Sequence, residues 1–307
     1  MNVPADKYPI RGEIKWDAPL ASLTSWRVGG RADCLYKPAD LRDLQMFLQL
    51  ELGKKPHLWV GLGSNLLVRD GGVRGTVVVP HGGLSALERE GGSIWAQAGV
   101  PCAKLARFAA HAGLQGGEFL AGIPGTVGGA LAMNAGAFGG ETWSLVRRVS
   151  VIDHNGSLKT LDASAFEIAY RQVRLKEARG PLWFVAAEFE FTAGEDPAVL
   201  RQRIRRLLAQ RAESQPTGVA SCGSVFRNPP GDHAGRLIEA AGLKGLRVGG
   251  AEVSEKHANF IINRGNATAH DIEALIKEIQ ARVESRFGVL LQPEVRIVGE
   301  PGVINEL

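Results

Sequence analysis

The chain has 307 residues, 45% of them apolar, and 36 basic against 32 acidic side chains give it a net charge of +4. That length can hold two domains, each burying its own core, and the composition is that of an ordinary soluble globular protein with no apolar run of membrane-spanning length. The charge suits a small polyanionic substrate but is too weak to imply nucleic acid.

Residues 1–15 are polar and mixed in charge, without the apolar centre of a signal peptide. Cys34, Cys102 and Cys222 are odd in number and far apart, which excludes a disulfide framework and a paired-cysteine metal knuckle. The expectation is a cytoplasmic protein in a reducing compartment.

In chain order, residues 38–52 carry Leu41, Leu44, Phe47 and Leu48 at helical spacing, and Leu58, Trp59 and Val60 read as a short strand. Residues 76–79 and 94–98 read as strands, and 101–112 as an apolar helix ended by Gly113. Further strands are expected at 148–153 and 183–191, with Asn155 and Gly156 as a turn signal. Residues 163–169 read as a helical stretch, which places Tyr170 and Arg171 just beyond it. At 193–197 the chain breaks, with Asp196 as N-cap and Pro197 at the first helical position. The domain boundary is therefore set between 194 and 195.

The basic run 201–211 lies on a helical pattern opposite Val199, Leu200, Ile204, Leu207 and Leu208, so its charges are expected to face water. A long amphipathic helix follows, with Thr268 as N-cap and Ile272, Leu275, Ile276, Ile279 and Val283 on its apolar face. The final strand is expected at 293–298. The seven histidines show no metal spacing.

Two glycine-rich loops stand out. The first contains Gly61, Leu62, Gly63, Ser64, Asn65 and Leu66; the second contains Gly122, Ile123, Pro124, Gly125, Thr126, Gly128, Gly129 and Ala130, with Asn134 just beyond. Bare backbone lets N–H groups approach a ligand closely, and successive N–H groups in tight turns favour anions. Two such loops suit a long ligand with a central diphosphate, a dinucleotide cofactor. Neither loop is a Walker A loop, and the first lacks the third glycine of a Rossmann fingerprint. Taken one at a time, such loops are also what reverses a chain between strands.

Ser224 lies in a polar, glycine-bearing segment bounded by prolines, 221–229, which is expected to turn near the surface. It is outside a Gly-x-Ser-x-Gly elbow, which counts against a hydrolase. Glu294 opens the last strand, and Arg171 follows Tyr170. Individually these residues argue little.

Together the segments 24–30, 61–72, 122–141, 169–171, 223–229 and 292–296 resemble the UDP-N-acetylenolpyruvoylglucosamine reductase family, in family order from about residue 20 to the end. The resemblance implies an α+β protein: a vanillyl-alcohol-oxidase-type FAD-binding domain of two α/β subdomains (20–194, split near 80), then a smaller α+β substrate-binding domain (195–307), after an N-terminal extension (1–19). It implies non-covalent FAD held by residues 61–66 and 122–130 with Asn134, and NADPH as hydride donor sharing one site in turn with the sugar nucleotide. Hydride would pass from flavin N5 to C3 of the enolpyruvyl group, and Ser224 would donate the proton to C2. Arg171 would stabilise the enediolate-like charge, Glu294 would act as a nearby acid, and Tyr170, Arg227 and Asn228 would contact substrate. A carboxylate resists gaining further charge, so such a site needs positive potential and acid protons.

Leu23 replaces a polar residue of many relatives. The short interval from Arg171 to Ser224 matches the subtype that lacks an inserted substrate-covering loop, so the residues gripping the uridine diphosphate do not carry over. The resemblance implies a role in peptidoglycan precursor synthesis, with a monomer favoured. The alternatives are an FAD oxidase or dehydrogenase of the same fold and a flavin- or nucleotide-sugar-binding regulator. The first needs a base in place of a proton donor to carbon; the second needs no acid-and-cation set.

Overall fold

Local signals start and stop the helices, and burial of their apolar faces assembles them. The computed structural model describes residues 9–177 and 180–302. By contacts the chain forms two compact units: one takes the residues up to Trp16, then Cys34–Leu62 and Gly75–Arg211, and the other takes Asp17–Asp33, Gly63–Arg74 and the chain from Ala212 onward. This division returns to each unit more than once, whereas the boundary expected at 194/195 is linear. Part of the expected N-terminal extension, residues 1–8, lies outside the described residues; the strand Glu13–Pro19 belongs to a sheet.

One sheet has its strands in the order Glu13–Pro19, Arg31–Lys37, Val73–Val78, His57–Trp59. Helix α1 (Leu41–Gln49) packs here. Asp40 caps it by accepting from Asp43 N, and Leu44, Phe47 and Leu48 are buried as their spacing requires. A second, antiparallel sheet has the order Leu158–Asp162, Val146–Asp153, Leu182–Glu190, Ser93–Gln97, Leu87–Glu90. Helices α2 (Cys102–His111), α3 (Val127–Met133) and α4 (Pro197–Ser214) share one core with this sheet. On α4, Leu200 and Ile204 are buried, while Val199 and Leu208 stay exposed.

The helical reading of 163–169 is corrected. One 3-10 turn (Ala163–Ala165) leads into a strand, Phe166–Ala169, which pairs antiparallel with Gln172–Leu175. Phe166 is buried, whereas Ile168, two positions on and on the same face, is exposed at the far end of this two-stranded ribbon.

The second unit has helix α5 (Ala234–Ala240), helix α6 (Ala269–Phe287) and an antiparallel sheet of Arg247–Val248, Ala251–Val253 and Ile261–Asn263. The final strand, Arg296–Val298, is shorter than expected and runs parallel to Leu66–Val68. Thr268 and Asp271 form a capping box on α6, and Asp70 accepts from Ala269 N and His270 N at the same end. All five expected apolar residues of α6 are buried in a core with Trp26, whose Nε1 donates to Ile261 O at 2.8 Å. Among the described residues no helix is long and apolar enough to cross a membrane.

Candidate functional site

Each unit carries part of the candidate set. In the first, the two glycine loops meet: a Cβ placed on Gly61 would stand 2.5 Å from Thr126 Oγ1. Thr126 is also the N-cap of α3, its hydroxyl accepting from Gly129 N at 3.4 Å. Among the described residues, the N–H groups of Gly61 and Leu62 donate to no other group of the protein. Successive uncommitted backbone donors are the kind of group an anion can use.

The second loop is more committed than its glycines imply. Val127 N donates to Val100 O at 2.8 Å and Gly128 N to Ala98 O at 2.9 Å. A Cβ on Gly128 would lie 2.9 Å from that of Ala98, so this glycine lets α3 pack on the neighbouring chain. Gly122 O accepts from the Arg211 guanidinium. Arg211 ends the basic run expected to be solvated, but it is turned inward, and burial pushes its pKa down.

Asn134 closes α3 in the left-handed conformation and is 1% exposed. Its Oδ1 accepts from Trp143 N at 3.2 Å, and its Nδ2 donates to Glu141 Oε2 at 2.9 Å and Ala169 O at 3.4 Å. Its side chain thus braces the ribbon turn. That turn carries Tyr170 and Arg171. Arg171 has φ +56°, its guanidinium donates to Asn134 O at 3.4 Å, and it lies 5.0 Å from the Tyr170 ring centroid. A non-glycine residue in that conformation is strained, and such strain concentrates at functional sites.

In the second unit, Gly63 has φ +61°, and a Cβ there would meet Leu23 O at 1.9 Å. The thiol of Cys222 is within hydrogen-bond reach of Gly63 O and Leu66 O. Burial pushes that thiol up to about 12, so it stays protonated. Asn65 Nδ2 donates to Glu294 O at 3.1 Å, and Arg296 N donates to Asn65 O at 3.1 Å.

The loop holding Ser224 is less superficial than expected, with Cys222, Val225 and Phe226 buried. Ser224 itself is half-buried. Glu294 N donates to Val225 O at 2.7 Å, so the structure brings Glu294 opposite the residue that follows Ser224. Arg227 Nε is buried and has no hydrogen-bond partner among the described residues, a donor that a polar ligand would satisfy. Asn228 Oδ1 accepts from Ala234 N at 3.1 Å at the start of α5, which leaves its NH2 end as the donor. Sequence reasoning missed a cleft of about 650 Å3 lined by Ser22, Thr24, Ser25, Arg27 and Ser221.

Residues 32–162 match a family model for an FAD binding domain, a span that contains both glycine loops. With the relatives below, that match gives FAD as the cofactor of this chain. Residues 215–298 match the model for the C-terminal domain of UDP-N-acetylenolpyruvoylglucosamine reductase. Reductases of that name from Alkalilimnicola ehrlichii and Methylococcus capsulatus are each 57% identical to this chain, covering 94% and 95% of it and 96% and 95% of their own lengths. The crystal structure of the UDP-N-acetylenolpyruvylglucosamine reductase from Thermus caldophilus superposes with a TM-score of 0.77 at 33% identity, over 94% of this chain and 99% of that one. On these grounds the chain belongs to the UDP-N-acetylenolpyruvoylglucosamine reductase family, FAD-dependent oxidoreductases with an α+β fold.

Proposed function

We propose that this enzyme uses NADPH to reduce the enolpyruvyl group of UDP-N-acetylenolpyruvoylglucosamine to UDP-N-acetylmuramate, in the cytoplasm, for peptidoglycan precursor synthesis. FAD, when bound, supplies the two-electron relay between the nicotinamide and the substrate double bond. The protein's residues manage charge and protons. Reduction at C3 leaves negative charge at C2 that spreads into an adjacent carboxylate, which is already anionic.

Arg171 is the cation that opposes this charge, presented on a short turn braced by Asn134. Ser224 donates the proton to C2. A serine hydroxyl is protonated throughout the physiological range, so it is always ready to act. The alkoxide left behind must regain a proton, and Glu294 is the acid nearest along the backbone pairing, opposite Val225. Arg227, with a buried unpartnered Nε, and Asn228, with a free amide end, hold polar groups of the sugar nucleotide. The observation that carries this reading is the pairing of the 225–227 and 292–294 segments, which ties the Ser224 loop to Glu294.

The test is Ser224→Ala. FAD content and flavin bleaching by NADPH should stay as in the wild type, while the enolpyruvyl step slows by ~10²–10⁴-fold, the usual contribution of a positioned acid. Near-normal turnover would remove Ser224 from the proton-donor role.

A further inference from the structure

We propose that Asn259 is a positioning residue for Ser224, one that fixes the hydroxyl by clamping the peptide immediately after it; the inference rests on the reading of Ser224 as proton donor. Asn259 is 4% exposed and lies in the loop joining the strands Ala251–Val253 and Ile261–Asn263. Its backbone carbonyl accepts from Val225 N at 2.9 Å, its Oδ1 accepts from Phe226 N at 2.9 Å, and its Nδ2 donates to Phe226 O at 2.9 Å. A primary amide has the donor and acceptor layout of a peptide group, so this one side chain acts as a neighbouring strand would.

The opposite edge of the same peptide is also occupied. Val225 O accepts from Glu294 N at 2.7 Å, Arg227 N donates to Gln292 O at 2.9 Å, and Phe226 bridges antiparallel to Pro293. The side chains of Val225 and Phe226 are both 1% exposed. Ser224 therefore stands between Gly223, at φ +75°, and a peptide held from both edges. Glu294 is anchored to the same peptide from the other side, so Asn259 sets the register of both acids. Proton transfer to carbon is sensitive to such placement, and a displacement of 1 Å costs up to about 10²-fold in rate.

The experiment compares wild type, Asn259→Ala and Asn259→Asp, each loaded with FAD, in anaerobic stopped-flow with the two half-reactions followed separately. Thermal midpoint and flavin content are recorded alongside. With Asn259→Ala, flavin bleaching by NADPH should be unchanged, and reoxidation by the enolpyruvyl sugar nucleotide should slow by about 10- to 100-fold. The loss should fall on kcat, with KM for the sugar nucleotide little moved.

Asn259→Asp adds a readout that loss of stability alone would not give. A carboxylate can accept from Phe226 N but repels Phe226 O, whereas the protonated acid can accept from one and donate to the other. Its substrate step should therefore recover as pH is lowered from about 8 to about 6, because burial against a carbonyl raises a carboxyl pKa. The wild type should lack that limb. If Asn259→Ala fails to fold, the pH limb of Asn259→Asp decides. Equal slowing of both half-reactions, an unaffected substrate step, or an Asp variant without the limb would overturn the positioning role. Wild-type flavin that the sugar nucleotide does not reoxidise would instead sink the proposed reaction, and this inference with it.

Discussion

Replacing Gly61 by alanine tests whether the two glycine loops form one anion cradle. The added Cβ would lie 2.5 Å from Thr126 Oγ1 and 3.4 Å from its Cβ and Cγ2. Gly61 is not at positive φ, so backbone strain plays no part and contact alone sets the cost. Overpacking of this kind costs about 1–3 kcal/mol. If Thr126 rotates to relieve it, α3 loses its cap at about 1 kcal/mol.

The empty loop can relax, but it must return to hold the diphosphate, so the cost appears as lost affinity. A total of about 2–3 kcal/mol weakens FAD binding by roughly 30- to 150-fold. Thr126→Ala alone loses only the cap, about fivefold. The double variant Gly61→Ala/Thr126→Ala has no oxygen to collide with and should bind FAD as Thr126→Ala does, which makes the pair strongly coupled. The assay strips FAD and titrates it back, following flavin fluorescence. A Gly61→Ala protein with near wild-type affinity, or losses that simply add in the double variant, would refute the reasoning.

Two further outcomes are expected. Glu294→Gln should slow flavin reoxidation by the sugar nucleotide by about tenfold or more and spare bleaching by NADPH; a defect confined to NADPH oxidation, measured in the same traces, would contradict its role. Asp43 is fully buried, and its carboxylate accepts from Tyr36 OH at 2.6 Å, Arg11 N at 2.6 Å and Ala39 N at 3.0 Å. Burial opposes its charge, but the hydrogen bonds from Tyr36, Ala39, Arg11 and Gly12 outweigh it and hold the pKa below the ordinary carboxylate value. The stability it contributes is thus full above the unfolded value near 4 and is lost as pH falls through the lower folded value. Asp43→Asn leaves donors unpartnered, about 3 kcal/mol, and should lower the thermal midpoint by roughly 5 °C. The two proteins should converge in acid when melted by circular dichroism, and parallel pH profiles would count against the assignment.

What could be read from the sequence was local chemistry. Asp196 with Pro197, and Thr268 before the apolar stripe of α6, mark helix starts by residue type alone, and the structure has both helices starting there. The ribbon at 166–175 was missed because its turn, Tyr170 and Arg171, has no glycine or asparagine to announce a left-handed residue. Glycines were visible but their purposes were not: Gly61 faces Thr126 across the loop meeting, and Gly128 faces Ala98 in packing, yet in sequence both are simply glycine. Pairings over long separations leave no local trace. Trp26 on Ile261 O spans 235 positions, and the Asn259 clamp on Phe226 spans 33. Arg211 was placed by its neighbours in a basic run, whereas its turn of α4 aims it at Gly122 O.

The central claim is that reducing equivalents from NADPH reach an enolpyruvyl sugar nucleotide through bound FAD. Anaerobic stopped-flow absorbance at the flavin band tests it most directly, with NADPH added first and UDP-N-acetylenolpyruvoylglucosamine second. The account predicts bleaching by NADPH and recovery of the band on adding the sugar nucleotide. A band that NADPH bleaches and only oxygen restores would contradict it and favour an oxidase of the same fold.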